Sequence, residues 1–223
     1  NNPKFAGPAM VNGKVYCVPK NWGTTGFIIN SNKVTSGPKS WKDFFEVTKG
    51  EGSGHTIVHD YQLTTIGAAL CALGYSFNSI DPNELAEAEA VLIDAKPHLF
   101  AITSDYQPGM RSGDAWMSIC WNGDATQLHN DLPEMQYVIA SDGGEIWTDF
   151  YAIPAEAPHL DAAYAFLNYM QDPAVQAAAE VPLLEKGAEG TSLQVKRENR
   201  ERVDAEGYAM PLEVEDPVLR ASR

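Results

Sequence analysis

The stretch WMSICWNGDATQLHNDLPEMQYVIASDGGEIWTDFYAI, residues 116–153, determines the fold class of this chain. Residues 116–121 have the composition of a buried strand, and the run 122–130 that follows predicts a helix. Two more apolar, β-type runs come next, at 137–141 and 146–153, and an Asp-Gly-Gly turn separates them. Strands that alternate with helices are typical of an α/β protein with mostly parallel sheets.

The same alternation extends in both directions from this stretch. Two short strands are predicted at Lys14–Pro19 and Thr25–Asn30, on either side of the turn-like sequence NWGT. Further strands are expected at 55–60 and 99–103. The predicted helices start at cap residues or show helical spacing of apolar residues, and they cover residues 40–48, 62–73, 81–96, 160–171, 173–180 and 196–205.

The charge balance restricts the partners of the chain. Thirty acidic residues against 16 Lys and Arg give a net charge of −14, which repels phosphate backbones and anionic membranes. Nucleic acid and membrane surfaces are therefore not expected as partners, whereas a cationic ligand is compatible. Surface carboxylates more often only solvate a fold. No window approaches the ~20 apolar residues of a membrane span and no leader stands at the start, so an exported form would have lost its signal.

The cysteines and histidines do not predict a metal site. Cys17, Cys71 and Cys120 are far apart in sequence, which is not the spacing of a zinc knuckle or a redox pair. Cys71 is expected on an apolar helix face, and a disulfide between Cys17 and Cys120 is left open. His55 and His59 are four residues apart but flank a β-type run, so they are not expected to share a ligand face.

Two tryptophans are each followed closely by an aspartate. Trp121 and Asp124 are three residues apart where a strand turns into a helix, and Trp147 and Asp149 are two apart in one strand. Residues two apart in a strand point to one face, where an indole ring attracts an ammonium group and a carboxylate fixes it. The alternatives are a helix-start carboxylate at Asp124 and a core tryptophan at Trp147 beside a solvated acid. Trp22 stands at another predicted strand end.

Several motifs resemble one protein family, in the same order. They are YCVPKNWGTTGFIIN (16–30), SWKDFFE (40–46), LGYSFNSIDPNELAEA (73–88), GDAWMSICWNGDA (113–125) and GGEIWTDFYAIPAEAPHLDAAYAFLNYMQDPAVQAAAE (143–180). The chain resembles the spermidine/putrescine-binding proteins of bacterial ABC importers over about residues 16–180. The resemblance implies a periplasmic binding protein of type II, with two lobes and mixed, mostly parallel sheets. Such a protein is not an enzyme: it closes over a small cationic amine and delivers it to a permease.

The resemblance also implies which residues bind the ligand. Trp121, Trp147 and Asp149 match the aromatic and acidic cleft positions of the family. Asp124 matches an acid that putrescine-type members carry. No catalytic residue, metal or cofactor is implied. The complete expected set is Trp121, Asp124, Trp147 and Asp149, with Trp22 and Tyr61 nearby.

The chain departs from the family pattern before the LGY motif. Tyr61 and Thr64 occupy positions where spermidine-type members carry an Asp and a Glu, and Asp60 lies one position earlier. An unpaired buried ammonium is costly. A diamine such as putrescine, or a zwitterionic amine, is therefore expected in preference to spermidine.

A second departure concerns the first lobe. Family members carry several βα units before the YCVPKNWG motif, whereas this chain starts almost at that motif. We expect a second lobe at 25–144, a partial first lobe from 1–24 and 145–195, and a C-terminal helix and tail at 196–223. A half-built lobe would expose apolar sheet. A partner chain, a swapped copy or, as the favoured explanation, further N-terminal residues would have to cover it.

Two other functions stay open from the sequence. A hydrolase would use Asp124 and Asp149 as an acid and base pair. No phosphate loop, nucleophilic serine motif or metal cluster accompanies these two carboxylates in the sequence. The third function is that of a ligand-free interaction domain, left by truncation of the first lobe.

Overall fold

The computed structural model describes residues 9–175 of the chain. Its strands are β1 (Met10–Val11), β2 (Lys14–Val15), β3 (Cys17–Asn30), β4 (Thr56–Val58), β5 (Leu99–Ile102), β6 (Met117–Trp121), β7 (Met135–Val138) and β8 (Glu145–Ala152). Its α-helices are α1 (Trp41–Lys49), α2 (Gln62–Ala72), α3 (Pro82–Ala95), α4 (Gln107–Ser112), α5 (Asn122–Asp131) and α6 (Leu160–Met170). The alternation of strands and helices confirms an α/β protein.

Six of these strands form one mixed sheet. The strand order is β5-β4-β6-β3-β7, and β8 also pairs with β3, whereas β1 and β2 pair with each other. β4 is parallel to β5 and β6, and β3 is antiparallel to β6 and β7. In the β3 and β6 register Thr25 lies opposite Trp121. The carboxyl end of β6 therefore lies beside the middle of β3.

The sheet buries an apolar cluster on each face. Along β3, Phe27 and Ile29 belong to one cluster and Ile28 to the other, as the two-residue period of a strand requires. The first cluster is built mainly with α1, α2 and α3, and it includes Trp41, Phe44, Ala68, Ala69 and Ala88. The second is built mainly with α4, α5 and β7, and it includes Met110, Ala125, Leu128 and Tyr137.

The start of α1 is fixed by local and distant carboxylates. Ser40 caps the helix as the sequence predicts, and with Asp43 it forms a capping box, in which each side chain accepts a hydrogen bond from the backbone of the other. Asp142 accepts the backbone N–H groups of Trp41 at 2.9 Å and of Lys42 at 3.1 Å. The loop in front of β8 is thus anchored to a helix that lies a hundred residues earlier.

One predicted boundary is wrong. The sequence predicts a turn between strands at Lys14–Pro19 and Thr25–Asn30, whereas β3 runs without interruption from Cys17 to Asn30. The pairing partners of β3 are distant in sequence, since β6 pairs with residues 25–29, β7 pairs with residues 27–30, and β8 also pairs with β3. A local turn signal cannot reveal such partners.

Two predicted helices, 173–180 and 196–205, lie partly or wholly outside the described residues. Within residues 9–175, no helix has the length and apolarity that a membrane crossing requires. Cys17, Cys71 and Cys120 are free thiols, so the disulfide that the sequence leaves open between Cys17 and Cys120 does not form.

The described residues divide into two compact units. Unit 1 contains residues 9–23 and 147–175, and unit 2 contains residues 24–146. One boundary falls inside β3, after Gly23, and the other falls inside β8, after Ile146. Within residues 9–175, the chain therefore passes from one unit to the other through extended strands.

Candidate functional site

The candidate site on unit 2 is built around the end of β6. Trp121 is the last residue of β6, and its extended backbone leads directly into α5, which starts at Asn122. Asp124 lies in the first turn of this helix, where a carboxylate interacts favourably with the helix dipole. The strand-to-helix transition that the sequence predicts thus holds the first aromatic and acidic pair.

An open depression lies against Trp121. It has a volume of ≈ 440 Å³ and is lined by Asp60, Tyr61, Ser104 and Trp121. The structure therefore brings together two of the residues that the sequence singles out, Trp121 and Tyr61. Asp60 precedes the helix α2 that follows β4, so the depression lies where two strands of the sheet end and their helices begin.

Trp121 rests on two buried rings. The imidazole of His59 lies 4.7 Å from the Trp121 ring centroid and is stacked on Tyr106 at 5.2 Å with an interplanar angle of 14°. His59 and Tyr106 are both almost completely buried. This stack supports the indole from below and fixes its orientation at the wall of the depression.

The hydroxyl of Tyr106 forms hydrogen bonds with both Asp124 and Trp121. It donates a hydrogen bond to Asp124 Oδ2 at 2.7 Å and accepts the backbone N–H of Trp121 at 3.2 Å. Burial raises the pKa of Tyr106 far above its usual range, with Cys120 and Asp124 acting in the same direction. Tyr106 is therefore a neutral donor, and it positions the Asp124 carboxylate relative to Trp121.

His59 is a buried and neutral histidine. Burial lowers its pKa to about 4, against opposing effects of Asp60, the Ile119 backbone and Asp124. Neither ring nitrogen has a hydrogen-bond partner of normal geometry among the described residues, although the Ile119 backbone acts on its pKa. His59 is thus a packing element of the site at neutral pH.

A third carboxylate, that of Glu145, contacts β3 and the first turn of α2. Glu145 Oε2 accepts hydrogen bonds from the hydroxyls of Thr25, at 2.7 Å, and Thr64, at 3.0 Å. Both threonines are buried, whereas Glu145 is half-buried. Strand β8 therefore brings a negative charge to the start of α2.

Within the residues that the structure describes, no cationic side chain forms an ion pair with the carboxylates of Asp60, Asp124 or Glu145. Among residues 9–175, the ion pairs join Lys20 to Asp149, Lys49 to Asp94 and Arg111 to Asp131. None of these pairs includes Asp60, Asp124 or Glu145. No group of histidine, cysteine or acidic side chains in the described part of the chain is arranged to hold a metal ion. The site combines aromatic rings with carboxylates, two kinds of group that can interact with an organic cation.

The remaining predicted residues lie on unit 1. Trp22 is half-buried in β3, and Trp147 is half-buried in β8. The buried Nε1 of Trp147 has no hydrogen-bond partner in the region that the structure describes. Asp149, two residues further along the same strand, lies 3.8 Å from Lys20 Nζ, with about half of each side chain exposed. Such a loose, exposed pair contributes little energy and leaves the carboxylate accessible.

Sequence reasoning missed Tyr106, His59, Ser104 and Glu145 as site residues. Ser104 and Tyr106 lie just after β5, so the rule that ligands collect at the carboxyl ends of parallel strands could have found them. Glu145 carries no such signal, because its partners lie 81 and 120 residues away in sequence.

Comparison with known proteins assigns the chain to a family. The family model described as bacterial extracellular solute-binding protein matches residues 2–181. The spermidine/putrescine-binding periplasmic protein of Escherichia coli (strain K12) is 32% identical over 162 residues, which are 72% of this chain and 46% of that protein. The putrescine-binding periplasmic protein SpuD of Pseudomonas aeruginosa is 27% identical and covers 74% of this chain and 49% of its own length.

Solved structures show the same fold. The spermidine/putrescine ABC transporter substrate-binding protein PotD of Streptococcus pneumoniae superposes with a TM-score of 0.66 at 28% identity, over 93% of this chain and 67% of that one. The chain spans about half the length of the curated relatives that it matches. Since the family model covers most of the sequence, the chain belongs to the bacterial extracellular solute-binding proteins.

Proposed function

We propose that the chain captures a small cationic amine outside the cytoplasm, in the periplasm, and delivers it to the permease of an ABC importer. The observation that carries this proposal is the depression on unit 2, where the rings of Trp121 and Tyr61 stand beside Asp60. An ammonium group is attracted to an aromatic face by ~0.5–2 kcal/mol, and a carboxylate adds a charge-assisted hydrogen bond. The net charge of −14 favours the approach of a cation.

We propose further that Trp147 and Asp149 of unit 1 bind the same amine. Trp147 offers the face of a half-buried indole ring, and Asp149 offers a carboxylate whose one ion pair among residues 9–175 is the loose contact with Lys20. Capture would then require closure of the two units over the ligand, with the bending taken up by β3 and β8. An ammonium group of the ligand would compete with Lys20 for Asp149.

The proposed ligand is a diamine of the putrescine type or a zwitterionic amine. Asp149 and Asp124 are the acids that match the family pattern, while Tyr61 and Thr64 replace the acids of spermidine-type members. The names of the relatives support an amine of this class, because they include putrescine as well as spermidine.

Titration calorimetry of the purified chain against putrescine, cadaverine, agmatine and spermidine tests the proposal. Asp149→Asn should weaken amine binding by about 2–5 kcal/mol, the range for breaking a desolvated charge pair. Glu156→Gln is the matched control, because this exposed acid of unit 1 has no described partner and should leave the affinity unchanged. Unchanged amine affinity in Asp149→Asn would refute the assignment of that residue.

The same titrations discriminate between the three functions. A binding protein returns the amine unchanged after incubation, which mass spectrometry of the recovered ligand measures. A hydrolase using Asp124 and Asp149 would convert a suitable substrate and lose that activity in Asp149→Asn. An interaction domain without a small ligand would give no heat with any amine.

A further inference from the structure

We infer that Glu145 provides the carboxylate for the second ammonium group of a diamine, in place of the acids that are absent from the start of α2. This inference rests on the proposed amine-binding function. It assigns to the strand β8 a specificity role within unit 2, in addition to Trp147 and Asp149 on the unit 1 part of the same strand.

The geometry of Glu145 is that of a positioned anion with one oxygen available. Two buried hydroxyls, Thr25 Oγ1 at 2.7 Å and Thr64 Oγ1 at 3.0 Å, both donate to Oε2. Oε1 has no hydrogen-bond or ion-pair partner among the residues that the structure describes. Because these hydrogen bonds already orient the carboxylate, binding a cation costs little further side-chain entropy.

The two threonines place this carboxylate next to residues that line the depression. Thr25 lies opposite Trp121 in the pairing of β3 with β6. Tyr61, whose side chain is exposed, is the N-cap residue of α2, and Thr64 lies three residues later in the first turn of that helix. Trp121 and Tyr61 are the two aromatic walls of the depression. A ligand between these rings can therefore extend one ammonium toward Glu145.

The location also explains how a threonine can occupy position 64. An acid at this position would lie directly against Glu145, and two adjacent carboxylates repel each other. With Thr64 the hydroxyl instead donates to the Glu145 carboxylate. Besides Asp60, which precedes α2, a second negative charge is thus held at the start of this helix, and it comes from a strand 81 residues further along the chain.

The test compares a diamine with a monoamine of equal length. Putrescine and n-butylamine share a four-carbon chain, so their difference in affinity reports the second ammonium. Titration calorimetry of the full chain should show that Glu145→Gln lowers putrescine affinity about 10- to 100-fold, the effect of losing a hydrogen bond to a charged group. The affinity for n-butylamine should change much less.

Control variants separate this role from a structural one. Glu89→Gln removes an equal charge from an exposed position of α3 and should leave both affinities unchanged. Thr64→Ser keeps the hydroxyl that positions Glu145 and should retain the putrescine preference, whereas Thr64→Val should reduce it. Thermal unfolding of each variant shows whether the fold is intact.

Each outcome decides the inference. Equal putrescine affinity in Glu145→Gln and the parent chain would overturn the role of Glu145 and leave the proposed function in place. An equal loss for both amines, or a loss only through unfolding, would also overturn it. If the parent chain binds no amine at all, the proposed function fails and the role of Glu145 fails with it. Loss of the diamine preference in Glu145→Gln alone supports the inference.

Discussion

Tyr106 connects Trp121 with Asp124 through its buried hydroxyl group. Its hydroxyl donates to Asp124 and accepts the Trp121 N–H, in a site where Tyr106 is fully buried. Tyr106→Phe should lower the free energy of unfolding by about 1–3 kcal/mol, because it leaves both polar groups without this partner. Urea unfolding at pH 7 measures this loss.

A matched control is available in Tyr75, whose hydroxyl also donates to a carboxylate, that of Glu87, at 2.8 Å. This pair is exposed to water, so Tyr75→Phe should have a smaller effect than Tyr106→Phe. Equal effects of the two substitutions would contradict the role assigned to the Tyr106 hydroxyl.

His59 should make stability depend on pH. Its pKa is about 4 in the folded chain and about 6.5 when exposed, so the unfolded chain binds a proton in this window and the folded chain does not. The free energy of unfolding should therefore fall by about 2 kcal/mol between pH 7 and pH 5 through this residue. His59→Phe keeps an aromatic ring under Trp121 and should remove most of that slope. Denaturant unfolding at several pH values checks it, and an unaltered slope would show that His59 is not responsible.

At the scale of elements, β3 and β7 approach each other closely at Gly26 of β3. A Cβ atom there would lie 2.2 Å from the backbone oxygen of Val138 and 3.0 Å from the Tyr137 ring. Gly26→Ala should destabilise unit 2 by about 3 kcal/mol, since neither β3 nor β7 can move away without breaking its ladder. Gly123→Ala is the control, because a Cβ at that position in α5 meets no atom within 4 Å. Thermal unfolding of the two variants gives the comparison, and equal melting temperatures would contradict the packing argument.

Elements with local determinants could be predicted from the sequence. The starts of α1 and α3 follow from the caps Ser40 and Asp81. β6 follows from its apolar composition, and α6 follows from the helical spacing of its apolar residues. The continuity of β3 could not be predicted, because distant strands stabilise it. The site divides in the same way: Trp121 follows from its strand end, whereas Glu145 depends on a contact with Thr25 across 120 residues.

At the scale of the whole molecule, the three thiols report on the folded state. Cys71 and Cys120 are buried, and burial raises the pKa of Cys71 to about 11 and that of Cys120 further. Cys17 is partly exposed. Since the thiolate is the reactive form, a thiol reagent should label one cysteine in the native chain and three in urea. Mass spectrometry counts the labels, and rapid native labelling of Cys120 would mean that the second core cluster opens.

The central position of β3 has a consequence for the time at which the sheet can form. Its sheet neighbours β6 and β7 begin at Met117 and Met135, about a hundred residues after β3 has been made. At a synthesis rate of about 5–20 residues per second, roughly 4–17 s separate the emergence of Asn30 from that of Met117. Throughout this interval Phe27, Ile28 and Ile29, which are buried in the finished protein, have no antiparallel neighbour. A chain released before residue 117 therefore presents an apolar strand with two open edges, which is a substrate for chaperones and a seed for aggregation.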